Sequence, residues 1–294
     1  LILRYSLNRI SKNVSYKHIK YNYTIKGGSS MKLSFTTLGC PNWSWKQIVD
    51  NAAAYGYRGI ELRGVEGEIY LPKVSYFSDI NLKDTLNYLK EKNIEIVCLG
   101  SSVNFHDPLN YEEKLNEAKD YLELAEKMGV RYIRIFGDRI PDPSKREETL
   151  DNIAKGLEQV YKMCEGRNVI PLLEVHGSIN NVQVFKDIFK RFTHPKFSVI
   201  WDIMHSHVSS EDTDMEFFGF IRPYIRHVHI KDCYWSDAER EWKLCKIGEG
   251  DLPIPMFCNL LAATNYDGYL SLEWEKKWHP ELSEPEEAFS HYIK

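Results

Sequence analysis

Long apolar stretches are missing from this chain of 294 residues. No run of about 18 apolar residues occurs, so the sequence predicts no membrane-spanning helix. Cysteine is scarce as well: the six cysteines are scattered without a C-x-x-C pair, which argues against a zinc knuckle or a short disulfide framework. This spacing is typical of reduced thiols in a cytoplasmic protein. The net charge of −4 gives no indication of binding to nucleic acid or to an anionic membrane.

Acidic residues are absent from the first 30 positions, which hold six lysines and arginines. This segment ends in Gly27-Gly28-Ser29-Ser30, a composition typical of flexible linkers. It has no apolar core long enough for a secretory signal. We therefore predict that residues 1–30 form a basic extension outside the fold, with a nucleic-acid-binding arm or a targeting peptide as the alternative. Residues 31–294, predicted to be the folded domain, then carry a net charge of −10.

Short β-rich segments alternate with amphipathic helices from Lys32 to the end of the chain. Helix signals such as the capping box Ser44-Trp45-Lys46-Gln47 lie between them. The eight β-rich segments are residues 33–37, 59–62, 94–99, 132–136, 169–175, 197–202, 227–231 and 269–273. Strands that alternate with helices predict a parallel sheet, and eight units over about 260 residues fit a single closed (β/α)8 TIM barrel. A doubly wound sheet would favour a Gly-rich phosphate turn after its first strand, where this sequence has no G-x-G-x-x-G.

The predicted strands five to eight end in polar side chains. In a parallel barrel the carboxyl ends of the strands meet at one mouth, where catalytic groups collect. These strands bring Glu174, Asp202, His229 and Glu273 to that mouth. Carboxylates between apolar neighbours are costly unless they are paired or bound to a metal. Three carboxylates and one imidazole suit Mn²⁺, Mg²⁺, Co²⁺ or Zn²⁺, so we predict a site for one divalent metal ion, with separate ion pairs as the alternative.

His227, His229 and Lys231 alternate along strand seven and therefore face the same side. His229 is level with the other predicted ligands, whereas His227 lies deeper and is expected to be a hydrogen-bonded core histidine. Lys231 lies nearest the opening, where it would either bind a substrate oxygen or pair with a carboxylate at the rim. At the end of strand two, Glu61 and Arg63 are candidates for binding hydroxyls or anions, or for an ion pair.

Several short motifs follow one another in a fixed order. They are Leu173-Glu174-Val175-His176, Trp201-Asp202-Ile203-Met204-His205, His227-Val228-His229-Ile230-Lys231-Asp232, Ile247-Gly248-Glu249-Gly250-Asp251 and Leu272-Glu273. Together with Gly39-Cys40-Pro41 and Gly59-Ile60-Glu61-Leu62, these motifs resemble the xylose-isomerase-like superfamily of sugar phosphate isomerases and epimerases. The resemblance covers residues 31–294. It implies that the four residues at the predicted mouth are the metal ligands.

The resemblance also implies substrate contacts for His176 and His205, which stand beside predicted ligands. The alternative is that these histidines orient the ligands through hydrogen bonds. The segment Gly248-Glu249-Gly250 would either lie over the substrate, for example as a phosphate-binding turn, or be a plain structural turn.

A metal-dependent isomerase or epimerase is the activity that the resemblance implies, acting on a sugar, a sugar phosphate or a related polyhydroxy ketone. The divalent ion would stabilise an enediolate, and Glu174 and Glu273 would transfer the protons. Dehydration passes through the same enediolate, so an inosose-dehydratase-like lyase stays open. Lys231-Asp232 is similar to that branch, whereas Trp235 stands where ketose 3-epimerases carry an arginine. A sugar-binding barrel without turnover is a further hypothesis, against which the complete ligand set argues.

Repair nucleases of the endonuclease IV type belong to the same superfamily but need further metal ligands. They would have a histidine where this chain has Phe136-Gly137-Asp138, and an Asp-x-His where it has Trp242-Lys243-Leu244. The charge of −10 on residues 31–294 also opposes DNA binding, which needs a basic face. We therefore predict a small carbohydrate as the partner, with no nucleic acid and no membrane. Homo-oligomer formation is left open.

Overall fold

A closed barrel of eight parallel strands forms the centre of the protein. The computed structural model describes residues 31–294, so the predicted extension at residues 1–30 lies outside the described residues. Neighbouring strands pair in chain order, and the last barrel strand closes onto the first. The barrel strands are β1 (Lys32–Thr36), β2 (Gly59–Leu62), β3 (Glu95–Asn104), β4 (Tyr132–Phe136), β5 (Ile170–Glu174), β6 (Ser198–Asp202), β7 (Ile225–Ile230) and β10 (Tyr269–Leu272). The predicted (β/α)8 barrel is therefore confirmed, and each predicted strand overlaps an observed one.

Nine α-helices occur among residues 31–294 and surround the strands. They are α1 (Trp45–Tyr55), α2 (Leu82–Glu91), α3 (Tyr111–Met128), α4 (Arg146–Met163), α5 (Val182–Arg191), α6 (Ile203–Ser209), α7 (Asp214–Ile221), α8 (Ile254–Ala263) and α9 (Pro285–Tyr292). Helix α1 begins at the predicted capping box, where Ser44 and Gln47 accept each other's backbone N–H. It ends at Gly56, whose φ of 92° favours a residue without a Cβ.

The core has two parts, one between the helices and the strands and one inside the barrel. The larger part is lined by apolar helix residues such as Ile48, Leu122 and Leu157. The inner part is an apolar cluster near the amino ends of the strands, formed by Val97, Cys98, Leu172, Ile200 and Tyr269. The acidic residues that end β5 and β6 lie on the mouth side of this cluster.

A β-hairpin follows β7 directly and was not predicted. Its strands are β8 (Asp232–Ser236) and β9 (Glu241–Cys245), which pair antiparallel outside the barrel. The Asp232 carboxylate accepts backbone N–H groups of Cys233, Gly248, Gly250 and Leu252, at 2.8, 2.9, 3.0 and 3.3 Å. The N–H groups of the two glycines are thereby used within the protein. The sequence predicts Gly248-Glu249-Gly250 to be either a turn over the substrate or a plain structural turn, and these contacts match the structural turn.

Membrane-spanning helices and disulfides are the two features that the sequence predicts to be missing. The helices of the described region, residues 31–294, include none with the length and apolarity needed to cross a bilayer. All six cysteines fall in the same region and are free, as their spacing predicts.

Candidate metal centre

The four predicted ligands converge at the mouth end of the barrel interior. Glu174 ends β5, Asp202 ends β6, His229 lies in β7 and Glu273 directly follows β10. The four strands are neighbours in the barrel, and Asp202 and His229 are register partners. One donor atom from each residue lies within 4.8 Å of the others, and all four side chains are buried.

Each ligand is oriented by a specific contact. The Nδ1 atom of His229 lies 2.8 Å from Glu174 Oε1 and 3.5 Å from Glu273 Oε1. Asp202 uses its Oδ1 to accept the backbone N–H of His205 at 2.9 Å, which caps the start of α6. Its second oxygen, Oδ2, lies 2.9 Å from the ammonium of Lys231. The short helix after β6 thus fixes the rotation of the Asp202 carboxylate.

Lys231 is a buried cation at the edge of this cluster, with 2% of its side chain exposed. Its Nζ donates to Glu273 Oε2 at 2.6 Å and to Glu275 Oε1 at 2.8 Å. Of the two roles predicted for Lys231, the geometry matches the ion pair with carboxylates. The other role predicted for Lys231, binding of a substrate oxygen, stays a prediction.

Arg134 is a second buried cation, which the sequence reasoning missed. Its Nη1 lies 3.3 Å from Glu174 Oε2 and 3.6 Å from Glu273 Oε1. Its Nη2 donates to the Ser101 carbonyl at 3.1 Å, and its guanidinium lies 4.1 Å from the ring centre of Phe136. The signal that could have identified it is a lone charge in the otherwise apolar strand β4, at an alternating position that points inward.

Electrostatics keep the two glutamates of the cluster ionised. Burial opposes ionisation of Glu174, but Arg134 and His229 hold its pKa below the ordinary value. Burial also opposes ionisation of Glu273, but Lys231 and His229 hold its pKa well below the ordinary value. The pKa of Asp202 is raised instead, because burial and the charge of Glu273 outweigh the effect of Lys231. The three carboxylates of the cluster thus share the buried cations Arg134 and Lys231 and the imidazole of His229.

The residues present fit a divalent cation. Glu174 Oε2 and Asp202 Oδ2 are completely buried, and neither accepts a hydrogen bond from the described residues. The contact of Asp202 Oδ2 with Lys231 is an ion pair without hydrogen-bond geometry. Buried oxygens without donors are costly, and coordination to a cation removes that cost. A donor set of three carboxylates and one imidazole also suits hard and borderline divalent ions.

Glu61 lies below this cluster, between two histidines. Its Oε1 is 3.0 Å from His229 Nε2, and its Oε2 is 2.8 Å from His227 Nε2. The Glu61 side chain is 1% exposed, so its carboxylate faces the two imidazoles rather than the open mouth. Of the roles predicted for Glu61, the geometry matches the ion pair, although the partners are histidines and not Arg63. His227 is hydrogen-bonded in the core, as expected for a deeper residue.

Arg63 stands apart from Glu61. Its Nη2 donates to Ser102 Oγ at 2.8 Å, and its backbone N–H donates to Thr37 Oγ1 at 2.8 Å. Its Nη1 is buried without a hydrogen-bond partner among the described residues. The predicted anion-binding role for Arg63 stays a prediction.

His176 and His205 form a pair beside the ligands, with ring centroids 4.1 Å apart. The Nδ1 of His176 lies 3.4 Å from Asp138 Oδ1, and His106 approaches the other Asp138 oxygen at 3.6 Å. Asp138 has a φ of 64°, an uncommon conformation for a residue with a Cβ. Burial and the positive charge of Lys231 lower the pKa of His205 to about 3, so this imidazole is neutral. The substrate contacts that the resemblance implies for both histidines stay a prediction.

This chain is similar to several known proteins of the same fold. The model of the xylose isomerase-like TIM barrel family matches residues 49–293. The inosose isomerase of Bacillus velezensis is 23% identical over 257 residues, covering 83% of this chain and 88% of that protein. The inosose dehydratase of Mesomycoplasma hyopneumoniae is 25% identical over 261 residues, covering 79% and 82%. A solved structure of the IOLI protein with a bound zinc atom has a TM-score of 0.67 at 20% identity, covering 89% of this chain and 95% of that one.

Proposed function

Because this chain belongs to the xylose isomerase-like TIM barrel family, we propose that it is a divalent-metal-dependent isomerase or epimerase of a polyhydroxy ketone. The substrate class is a sugar, a sugar phosphate or a cyclic ketone of the inosose type. The inosose type is supported by the names of the curated relatives. The proposal depends above all on one observation, the convergence of Glu174, Asp202, His229 and Glu273 within 4.8 Å.

The proposed metal ligands are these same four residues. A divalent ion held by them would act as a Lewis acid on a ketone oxygen and favour loss of the neighbouring carbon-bound proton. Asp202 and His229 would mainly hold the ion. His176 and His205 would steady substrate oxygens at the mouth, where their paired rings lie.

Glu174 and Glu273 are proposed to divide the proton transfers. Glu174 Oε2 accepts no hydrogen bond from the described residues, and Arg134 lies 3.3 Å away as an ion-pair partner, so a lone pair of this carboxylate that the metal does not use would take the carbon-bound proton. Glu273 Oε2 accepts a hydrogen bond from Lys231, so an ammonium group lies directly beside this second carboxylate. Return of the proton to the opposite face of the same carbon gives epimerisation, and return to the neighbouring carbon gives isomerisation.

Dehydration is a second candidate, favoured by the position of Lys231. Its ammonium is held by Glu273 and Glu275 beside the proposed ligands, where it would protonate a departing hydroxyl group to release water. The inosose dehydratase among the relatives supports this candidate. Proton abstraction by Glu174 is common to both reactions, so a single assay detects either one.

Hydrogen exchange in D₂O tests the proposal. The full chain with Mn²⁺ is incubated with a panel of ketoses, inososes and keto-sugar phosphates, and carbon-bound deuterium is followed by NMR. We expect deuterium beside the carbonyl group of at least one compound, and no exchange with Glu174→Gln, because the amide cannot accept the proton. The exposed Glu165→Gln is the matched control and should exchange like the original protein.

Three results would contradict the proposal. Exchange by Glu174→Gln close to the unchanged rate would remove this residue from the role of base. No exchange across the whole panel would favour a sugar-binding barrel without turnover. Cleavage of abasic DNA in a parallel assay, without exchange, would favour the nuclease hypothesis.

A further inference from the structure

We propose that Glu61 is a positioning residue for the metal ligand His229. Its carboxylate accepts the Nε2–H of this imidazole and so leaves Nδ1, which faces the other ligands, as the nitrogen available to a metal ion. This inference rests on the metal centre of the proposed function. It gives Glu61 a role that differs from substrate binding, because the residue lies on the far side of His229 from the mouth.

The geometry around His229 is asymmetric. Its Nδ1 lies 2.8 Å from Glu174 Oε1, on the side of the proposed ligands. Its Nε2 lies 3.0 and 3.1 Å from the two oxygens of Glu61. Both side chains are almost fully buried, so no solvent competes for the Nε2 proton. The two nitrogens of this ring therefore have separate partners, one at the metal centre and one at Glu61.

His227 holds the Glu61 carboxylate from the side away from the barrel mouth. Its Nε2 lies 2.8 Å from Glu61 Oε2, and its ring is nearly perpendicular to that of His229, at 83°. One carboxylate thus accepts two imidazole N–H groups. An amide could not do this, because it has one acceptor oxygen and one NH₂ donor.

A neutral imidazole has one nitrogen with a free lone pair, and this atom alone can bind a metal ion. A carboxylate that accepts from the second nitrogen selects this tautomer, fixes the ring and makes the ligand more basic. Glu61, His227 and His229 also lie close enough together to hold an ion themselves. Both oxygens of Glu61 already have an imidazole partner at 2.8–3.1 Å, whereas Glu174 Oε2 and Asp202 Oδ2 in the other cluster accept no hydrogen bond from the described residues, which favours the positioning role.

The first test is the affinity of the metal-free full chain for Zn²⁺, measured by competitive calorimetric titration. In Glu61→Gln, the new amide can accept from only one of the two imidazoles and donates to the other. Where His229 receives that N–H, its own proton moves to Nδ1 and blocks coordination. We expect the dissociation constant for Zn²⁺ to rise about 10–100-fold, with circular dichroism confirming an unchanged fold.

A double variant separates this effect from general damage. In Glu61→Gln with His227→Leu, the competing imidazole is gone, and the amide oxygen is free to accept from His229. We expect most of the Zn²⁺ affinity to return. A loss of packing alone would make the double variant bind more weakly than the single one, and that result would overturn the inference. A single variant that binds Zn²⁺ within about twofold of the original protein would overturn it too.

NMR of the original protein gives an answer that does not depend on any variant. With ¹⁵N-labelled histidine and bound Zn²⁺, we expect His229 to carry a proton on Nε2 and the metal on Nδ1. Metal on Nε2, or a second ion bound by Glu61 and His227, would contradict the inference while leaving the metal centre in place. An original protein that binds no Zn²⁺ would instead overturn the proposed function itself.

Discussion

Two buried cations, Arg134 and Lys231, determine how the carboxylates of the cluster are balanced. Arg134 lies between Glu174 and Glu273, whereas Lys231 lies between Glu273, Asp202 and Glu275. The sequence allowed the four proposed ligands to be predicted, because each lies at or near the carboxyl end of a β-rich segment. It did not allow Arg134 to be found, because a single arginine in a strand indicates burial without naming its partner. Pairings across a barrel depend on the closure of the sheet, which no local pattern encodes.

Arg134→Met should destabilise the metal-free protein by about 3–5 kcal/mol. The substitution removes the guanidinium and leaves Glu174 and Glu273 as buried carboxylates with one partner fewer. Urea unfolding in the presence of EDTA measures the change. The matched control is Arg131→Met, because Arg131 is exposed just before the same strand. A loss below about 1 kcal/mol for Arg134→Met, or an equal loss for both variants, would show that the guanidinium does not balance these carboxylates.

Elements of the barrel were predictable to within a few residues, whereas the hairpin after β7 was not. The barrel strands are apolar segments flanked by amphipathic helices, and their alternation determines the parallel order. Strands β8 and β9 have mixed polarity and only partial burial, so they lack the apolar signal of the barrel strands. Asp232 holds the loop that follows β9, because its carboxylate accepts backbone N–H groups up to 20 positions later in the chain. Such a contact leaves no periodic pattern in the sequence.

Asp232→Ala should loosen the loop after β9 and destabilise the protein by about 2–4 kcal/mol. Removal of the carboxylate leaves the N–H groups of Gly248, Gly250 and Leu252 without their acceptor. Hydrogen–deuterium exchange measured by mass spectrometry should show faster exchange at residues 246–252. Asp251→Ala is the control, since its carboxylate accepts a single exposed N–H, that of Trp235. Unchanged protection of residues 246–252 in Asp232→Ala would contradict this role.

At the scale of the whole molecule, the proposed ligands come from four neighbouring strands of the closed barrel, β5, β6, β7 and β10. The strands are parallel, so their carboxyl ends bring the four residues to one mouth, although of the four only Asp202 and His229 are register partners. Strand β4, the neighbour of β5, adds Arg134, and strand β2 adds Glu61 from across the interior. The barrel thus concentrates negative charge at one end of its axis, and a bound cation would relieve the repulsion.

Divalent metal should therefore stabilise the whole barrel, and removal of the metal should lower its thermal stability. An ion at about 100 times its dissociation constant adds about 2.7 kcal/mol when it binds only the folded state. For a protein of this size, that corresponds to a rise in Tm of roughly 5–10 °C. Scanning calorimetry of the EDTA-treated chain, before and after addition of Mn²⁺, measures the shift, and elemental analysis should find about one ion per chain. His229→Ala removes one of the four donors and should lose most of the shift, whereas His194→Ala, far from the cluster near the start of β6, should keep it. Equal shifts in the two variants would place the ion elsewhere in the protein, and two or more ions per chain would contradict a mononuclear centre.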